Sequence, residues 1–204
     1  MRKGTTILFT LLALCVVALF AADMCVGSVE INLRDIWAVM TGGECDPITT
    51  KIIIDIRLTK ALMAILAGAA LAVSGLQMQT LFRNPLAGPY VLGVSSGASL
   101  GVALFILGAP LLGLGGSSLL SSFGVAGAAW VGAAAVLAMV AAVSRRIKDI
   151  MVILILGMMV GSAVSAIVQV LQYMSHEEAL KSFVVWTMGS LGDVTSNQLM
   201  LLLP

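Results

Sequence analysis

Long apolar stretches alternate with short polar ones along this chain. Residues 5–22 are free of charge and follow Arg2 and Lys3, and residues 61–82 form a second apolar run that continues back to about Arg57. Residues 91–107 are shorter and rich in Gly and Ser, residues 123–143 and 150–173 add two more runs, and Gln198 opens a sixth that continues to Pro204. A helix needs about 20 apolar residues to cross roughly 30 Å of hydrocarbon. The pattern therefore predicts an all-α polytopic membrane helix bundle. Its spans are expected at about 5–22, 57–82, 91–107, 123–143 and 150–173, with an incomplete one at 198–204. A cleaved leader is the competing reading of the first run. Leu19 and Phe20 stand where a cleavage site needs small residues, and Leu14 before Cys15 spoils a lipoprotein site, so an uncleaved first span is expected.

Composition agrees with the pattern. Hydrophobic residues make up 60% of the chain and charged ones 10%, too few to clothe a water-soluble surface. With the N-terminus in the cytoplasm, the inner side holds Arg2, Lys3, Arg83, Arg145, Arg146 and Lys148 against Asp149 alone. The outer side then holds Arg34, Lys51, Arg57, Lys60 and Lys181 against nine acids, among them Asp23, Glu30, Asp55, Glu177 and Asp193. The basic loop before residue 150 favours this orientation in the inner membrane.

The fifth run carries a pattern of its own. Ser162, Ser165, Gln169 and Gln172, with Met158, recur at helical spacing and share about a quarter of the helix circumference. Amides are expensive in hydrocarbon without a partner or water, so this stripe faces inward, either as glue between helices or as a wet lining. It has no ionisable residue, which argues against a proton relay. Small residues repeat every fourth position at Gly93, Gly97 and Gly101, at Ala64, Gly68 and Ala72, at Gly124, Ala128 and Gly132, and at Gly157 and Gly161. Such repeats let helix backbones approach closely in a bilayer. Between the first two runs, Ile31, Leu33, Ile36 and Trp37 form a segment suited to the membrane interface. Cys15 reads as a packing residue, while Cys25 and Cys45 fall on the outer side as a disulfide or as two thiols.

Other chemistry is weakly signalled. Gly93-Val94-Ser95-Ser96-Gly97 matches a hydrolase nucleophile pattern, but the only histidine, His176, belongs to an outer loop across the membrane. No phosphate-binding GxxxxGK[ST] loop occurs in these residues, and nothing suggests a metal site or nucleic-acid binding.

The order of features from residue 57 to residue 101 is distinctive. Arg57 and Lys60 open a helix filled by GAALAVSG, Gln77 and Gln79 lie near its end, and RNPLAGP and LGVSSGASLG follow. This resembles the FecCD-type permeases, the membrane subunits of ATP-driven importers for vitamin B12, haem and iron–siderophore chelates. The resemblance implies a homodimeric or paralogous permease pair in the lipid bilayer, two cytoplasmic ATPase subunits that use ATP and Mg, and an external substrate-binding protein. The chain itself binds no cofactor in this reading. Arg57 and Lys60 are one helical turn apart on the same face, and the resemblance assigns them to docking of the binding protein. It assigns Asn84, Pro85 and Leu86 to a cytoplasmic gate opposed by Asp149 and Ile150, and the stripe from Met158 to Gln172 to the pathway. Thr59 and Lys60 replace the more usual Pro and Arg, and Gly88 replaces a residue often acidic. Permeases of this type have about ten spans, so these 204 residues read as the N-terminal half of one. A non-transporting membrane fragment and an ion-coupled carrier are the alternatives.

Overall fold

The computed structural model describes residues 3–27, 29–108, 122–192 and 199. Two compact units divide at Gly68 and Ala69. The first contains α1 (Lys3–Cys25), α2 (Leu33–Thr41), α3 (Pro47–Lys51), a π-helical segment (Ile52–Leu58) and the start of α4 (Thr59–Phe82). The second holds the rest of α4, then α5 (Val94–Ala103) with a π turn at Leu104–Gly108, α6 (Ser122–Ser144), α7 (Ile150–Met174) and α8 (Glu177–Met188). Among the described residues, four helical runs are long and apolar enough to cross a membrane: Gly4–Cys25, Pro47–Phe82, Gly124–Ser144 and Ile150–Met174. Val94–Gly108 is a shorter apolar helix. The run expected at 198–204 lies, Leu199 apart, outside the described residues.

In the first unit α1 is exposed along almost its whole length, and Met24 at its end is buried. Asp46 starts the second run: its carboxylate accepts from the Thr49 backbone N–H at 3.1 Å, and Pro47 occupies the first turn. The 36 residues of Pro47–Phe82 make a helix of roughly 50 Å at about 1.5 Å per residue. That exceeds the hydrocarbon thickness of about 30 Å, so part of the run stands outside the apolar layer. Lys51, Asp55, Arg57 and Lys60 mark its N-terminal part as that portion.

In the second unit α5 is the central element and packs against both α6 and α7. Small residues make both contacts. A Cβ on Gly97 would stand 2.6 Å from the Gly132 carbonyl oxygen, and one on Gly101 would overlap the Ala128 carbonyl. On the other flank, a Cβ on Gly157 would meet the Val91 carbonyl oxygen at 2.8 Å. Gly93, with φ of 74°, precedes α5 in a left-handed conformation and lies against Gly157 and Gly161. Two apolar clusters fill the remaining space. Phe82, Ala87, Leu92, Val136, Val140 and Val164 form one, and Val102, Ala103, Leu107, Val168 and Phe183 the other.

The stretch expected as an outer loop beyond residue 173 contains a helix. Glu177 and Glu178 occupy the first turn of α8, where the positive end of the helix dipole favours acids. Phe183 is 1% exposed, within the second cluster, and its ring centroid is 6.2 Å from that of Trp186. His176 caps this helix without a side-chain hydrogen bond to it.

Two glycine substitutions separate packing from helix propensity. Gly101→Leu is expected to force α5 and α6 apart and destabilise the fold by about 3 kcal/mol. Gly68, with no atom within 4 Å of an added Cβ, is expected to accept alanine with no loss, or with a gain of up to about 1 kcal/mol. Denaturant titration of the purified protein in detergent measures both.

Candidate functional site

Three groups of residues hold the chemistry, and the first is the Arg57 cluster. The π-helical turn Ile52–Leu58 leads into α4, and the Thr59 hydroxyl donates to the Ile54 carbonyl, five residues back, at 3.1 Å. The wider turn changes which side each residue faces. Arg57 points into the protein and is 7% exposed, whereas Lys60 is exposed. The guanidinium donates to the Met24 carbonyl at 2.6 Å, to the Cys25 carbonyl at 3.1 Å, and to the Val29 carbonyl. Met24 and Cys25 are the last residues of α1, whose final carbonyls have no partner within the helix and carry the negative end of its dipole. Arg57 therefore closes α1 at a distance. The fit is tight: a Cβ on Gly27 would lie 2.7 Å from Nη2.

The basic pair expected on one helical face is thus made of one buried guanidinium and one exposed ammonium. The two differ in exposure, and the Arg57 fork is occupied by backbone carbonyls. Both residues line a recess of about 240 Å³ together with Asp23, Gly27 and Ile56, and Lys60 is its exposed cation. Cys25 and Cys45 are free thiols, so the disulfide alternative is not formed in this structure.

The second group is the turn after α4. Arg83 takes φ of 48°, a left-handed conformation, and its N–H reaches the Thr80 carbonyl while that of Asn84 reaches Gln79. These two bonds close the helix in the manner usually served by glycine. The Asn84 side-chain oxygen accepts from the Leu86 N–H at 2.9 Å, and the Ala87 N–H bonds the Asn84 carbonyl at 3.1 Å. Pro85 is thereby held in a tight turn that leaves Leu86 89% exposed. At the start of α7 the Asp149 carboxylate accepts from the Met151 N–H at 2.8 Å. Ile150 packs on the cluster that contains Ala87, so both expected gate segments border the same part of the second unit.

The third group is the polar stripe of α7, and the structure divides it. Gly157, Gly161, Val164 and Val168 form the buried face. Next to that face, Ser165 shares a hydrogen bond with Ser96 of α5 at 3.2 Å, acting as glue between helices. Ser162 and Gln169 are exposed, with the Ser162 hydroxyl returned to the Met158 carbonyl at 3.0 Å, and Gln172 is half-buried. Met158 is 48% exposed on the same side. The apolar recess between α5 and α6, about 550 Å³ and lined by Leu100, Leu104, Phe105 and Val131 among others, offers no polar side chain. Among the described residues no group of His, Cys, Asp and Glu is placed to hold a metal ion.

Replacement of Arg57 is expected to act on stability first. Arg57→Ala leaves three carbonyls unpaired and should destabilise the protein by about 2–3 kcal/mol, with Arg57→Lys in between because an ammonium lacks the planar fork. Lys60→Ala should stay within about 0.5 kcal/mol of the parent. Thermal unfolding in detergent checks the order of the three variants.

Comparison with known proteins gives this arrangement a family. Residues 13–204 match the FecCD transport family. The chain is 39% identical over 166 residues to a molybdate import system permease of Haemophilus influenzae, covering 79% of this chain and 45% of that protein. It is 36% identical to a hemin transport system permease of Yersinia pestis, covering 91% and 53% respectively. It is 35% identical to a vitamin B12 import system permease of Shigella boydii, covering 95% and 55%. The fold matches a structure described as an inward-facing, metal-chelate type ABC transporter with a TM-score of 0.77 and 30% identity, over 96% of this chain and 57% of the other. The chain thus spans about half the length of the relatives it matches. Four bilayer-length apolar helical runs, the close-packed glycine seams and a family match across nearly the whole sequence agree, and this membrane protein belongs to the FecCD transport family.

Proposed function

We propose that the chain forms part of the permease subunit of an ATP-binding-cassette importer in the inner membrane, with its N-terminus in the cytoplasm. The observation that best supports this is the polar, uncharged side of α7, held beside α5 by the Ser96–Ser165 bond in a fold shared with a metal-chelate type ABC transporter. Exposed Ser162 and Gln169 would be wetted by a pathway formed with a second permease copy. Separate cytoplasmic subunits would bind and hydrolyse ATP with Mg, and an external binding protein would deliver the cargo. The chain contributes no catalytic residue to this scheme. Asn84, Pro85 and Leu86 on one side and Asp149 and Ile150 on the other are its proposed cytoplasmic gate, with exposed Leu86 as the apolar plug. Lys60 is the proposed docking cation, because its charge is offered to the exterior while that of Arg57 is held inside.

The favoured cargo is an iron–siderophore chelate, with haem or a corrinoid as near alternatives. Hydroxyl and amide groups suit a large polar chelate whose charge is already screened by its own ligand shell. A small oxyanion is the second reading, favoured by the 39% identity to the molybdate permease. The stripe from Met158 to Gln172 has no Lys or Arg to attract such an anion.

Uptake by host cells distinguishes these readings. Loss of the gene is expected to abolish accumulation of radiolabelled ferric siderophore and leave molybdate accumulation unchanged. The reverse pattern would assign the oxyanion, loss of neither would turn the assay to haem and cobalamin, and unchanged uptake of all four would remove the importer reading. In the assembled transporter, Lys60→Glu is expected to weaken capture of the loaded binding protein about tenfold, or roughly 1.4 kcal/mol, without lowering the unfolding temperature.

A further inference from the structure

The segment between the first two membrane-crossing runs carries a surface that the transport reading leaves unused. Residues 26–46 join Gly4–Cys25 to Pro47–Phe82, so the segment leaves and re-enters the bilayer at one membrane face. Within it lies α2. Gly42 ends the helix with φ of 76°, its N–H bonded to Val39 and that of Gly43 to Ala38. Both sides of α2 carry apolar residues, and one of them is left uncovered by protein. Asp35, Ile36, Ala38 and Val39 are half-buried, whereas Leu33, Trp37 and Met40 are 71%, 72% and 58% exposed. The spacing of these three puts them on a single stripe of a 3.6-residue helix. No residue of α2 is buried.

Lipid explains this stripe better than water or an electrostatic partner does. Tryptophan prefers the headgroup level of a bilayer, where its ring is apolar and its N–H is hydrated. Arg34 and Asp35 cancel, and Glu30, Glu44 and Asp46 make the surrounding segment acidic. Attraction to anionic headgroups therefore contributes little, and burial of apolar area supplies the binding. We propose that α2 is an interfacial helix whose Leu33–Trp37–Met40 stripe inserts into the headgroup–acyl boundary at the face where the first two runs meet. It would lie parallel to the membrane at a depth of about 5–10 Å. The inference depends on the membrane-crossing runs and not on any cargo.

Tryptophan fluorescence of the full chain in phosphatidylcholine vesicles tests it. With Trp130→Phe and Trp186→Phe, Trp37 is the sole tryptophan of the protein. Its emission is expected to be blue-shifted, quenched by lipid brominated near the headgroup end of the acyl chain, and poorly quenched by aqueous iodide. Water-like emission with strong iodide quenching and no response to brominated lipid would overturn the proposal. So would shielding that arises only after an external soluble protein is added, which would make the stripe a protein-docking face. If the double variant does not fold, a nitroxide on Met40→Cys, in a chain with Cys15, Cys25 and Cys45 replaced, gives the same reading. Collisions with oxygen should then exceed those with an aqueous nickel complex, and the opposite ratio would refute the insertion.

Discussion

Hydrocarbon offers helices little hydrophobic reason to associate, because lipid tails are as apolar as leucine side chains. Cohesion in the second unit must come from close contact, and glycine supplies it. At Gly97, Gly101 and Gly132 the backbones of α5 and α6 approach so closely that one added carbon would collide with a carbonyl of the other helix. Gly93, Gly157 and Gly161 repeat the device between α5 and α7. This approach fixes the rotation of α7 about its axis. Once Gly157, Gly161, Val164 and Val168 face inward, Ser165 meets Ser96, and Ser162 and Gln169 are left beside the contact but exposed. The polar face of α7 is thus a consequence of the glycine seam.

The first unit solves a different problem, the disposal of unpaired backbone groups at a helix end. Arg57 binds the final carbonyls of α1 and the Val29 carbonyl, which fixes the chain as it leaves the first run. A guanidinium suits this task because its planar fork reaches several acceptors while its charge faces the negative end of the helix dipole. Arg57 lies buried at the end of the π segment, while Lys60, in the first turn of α4, is exposed. Of two basic residues three positions apart, one is thereby held by backbone carbonyls and the other is exposed.

Much of this organisation is legible in the sequence because hydrocarbon imposes simple rules. Runs of apolar residues mark the long helices, and the four-residue spacing of glycines marks α5, α6 and α7 as close-packed partners. The same spacing at Ala64, Gly68 and Ala72 reads identically, yet Gly68 faces open space, because periodicity identifies a face without naming what covers it. The burial of Arg57 is not legible in the sequence for a physical reason: its partners are backbone carbonyls at the end of α1, which residue types do not reveal. Helix α8 was hidden by its charged first turn, although Ala179, Phe183 and Trp186 already carry the spacing of a packed helix. In the α7 stripe, glue and lining looked like alternatives, whereas the structure uses Ser165 as glue and leaves Ser162 and Gln169 exposed.

On the proposed pathway, the polar side of α7 meets water inside the membrane while the neighbouring apolar side meets lipid. Cysteine accessibility in host membranes tests it most directly, using a chain with Cys15, Cys25 and Cys45 replaced and single cysteines at Ser162, Gln169, Met159 or Val170. A water-soluble, charged maleimide is predicted to label Ser162→Cys and Gln169→Cys and to leave Met159→Cys and Val170→Cys unmodified. Equal labelling on both sides, or none on the polar one, would contradict the account.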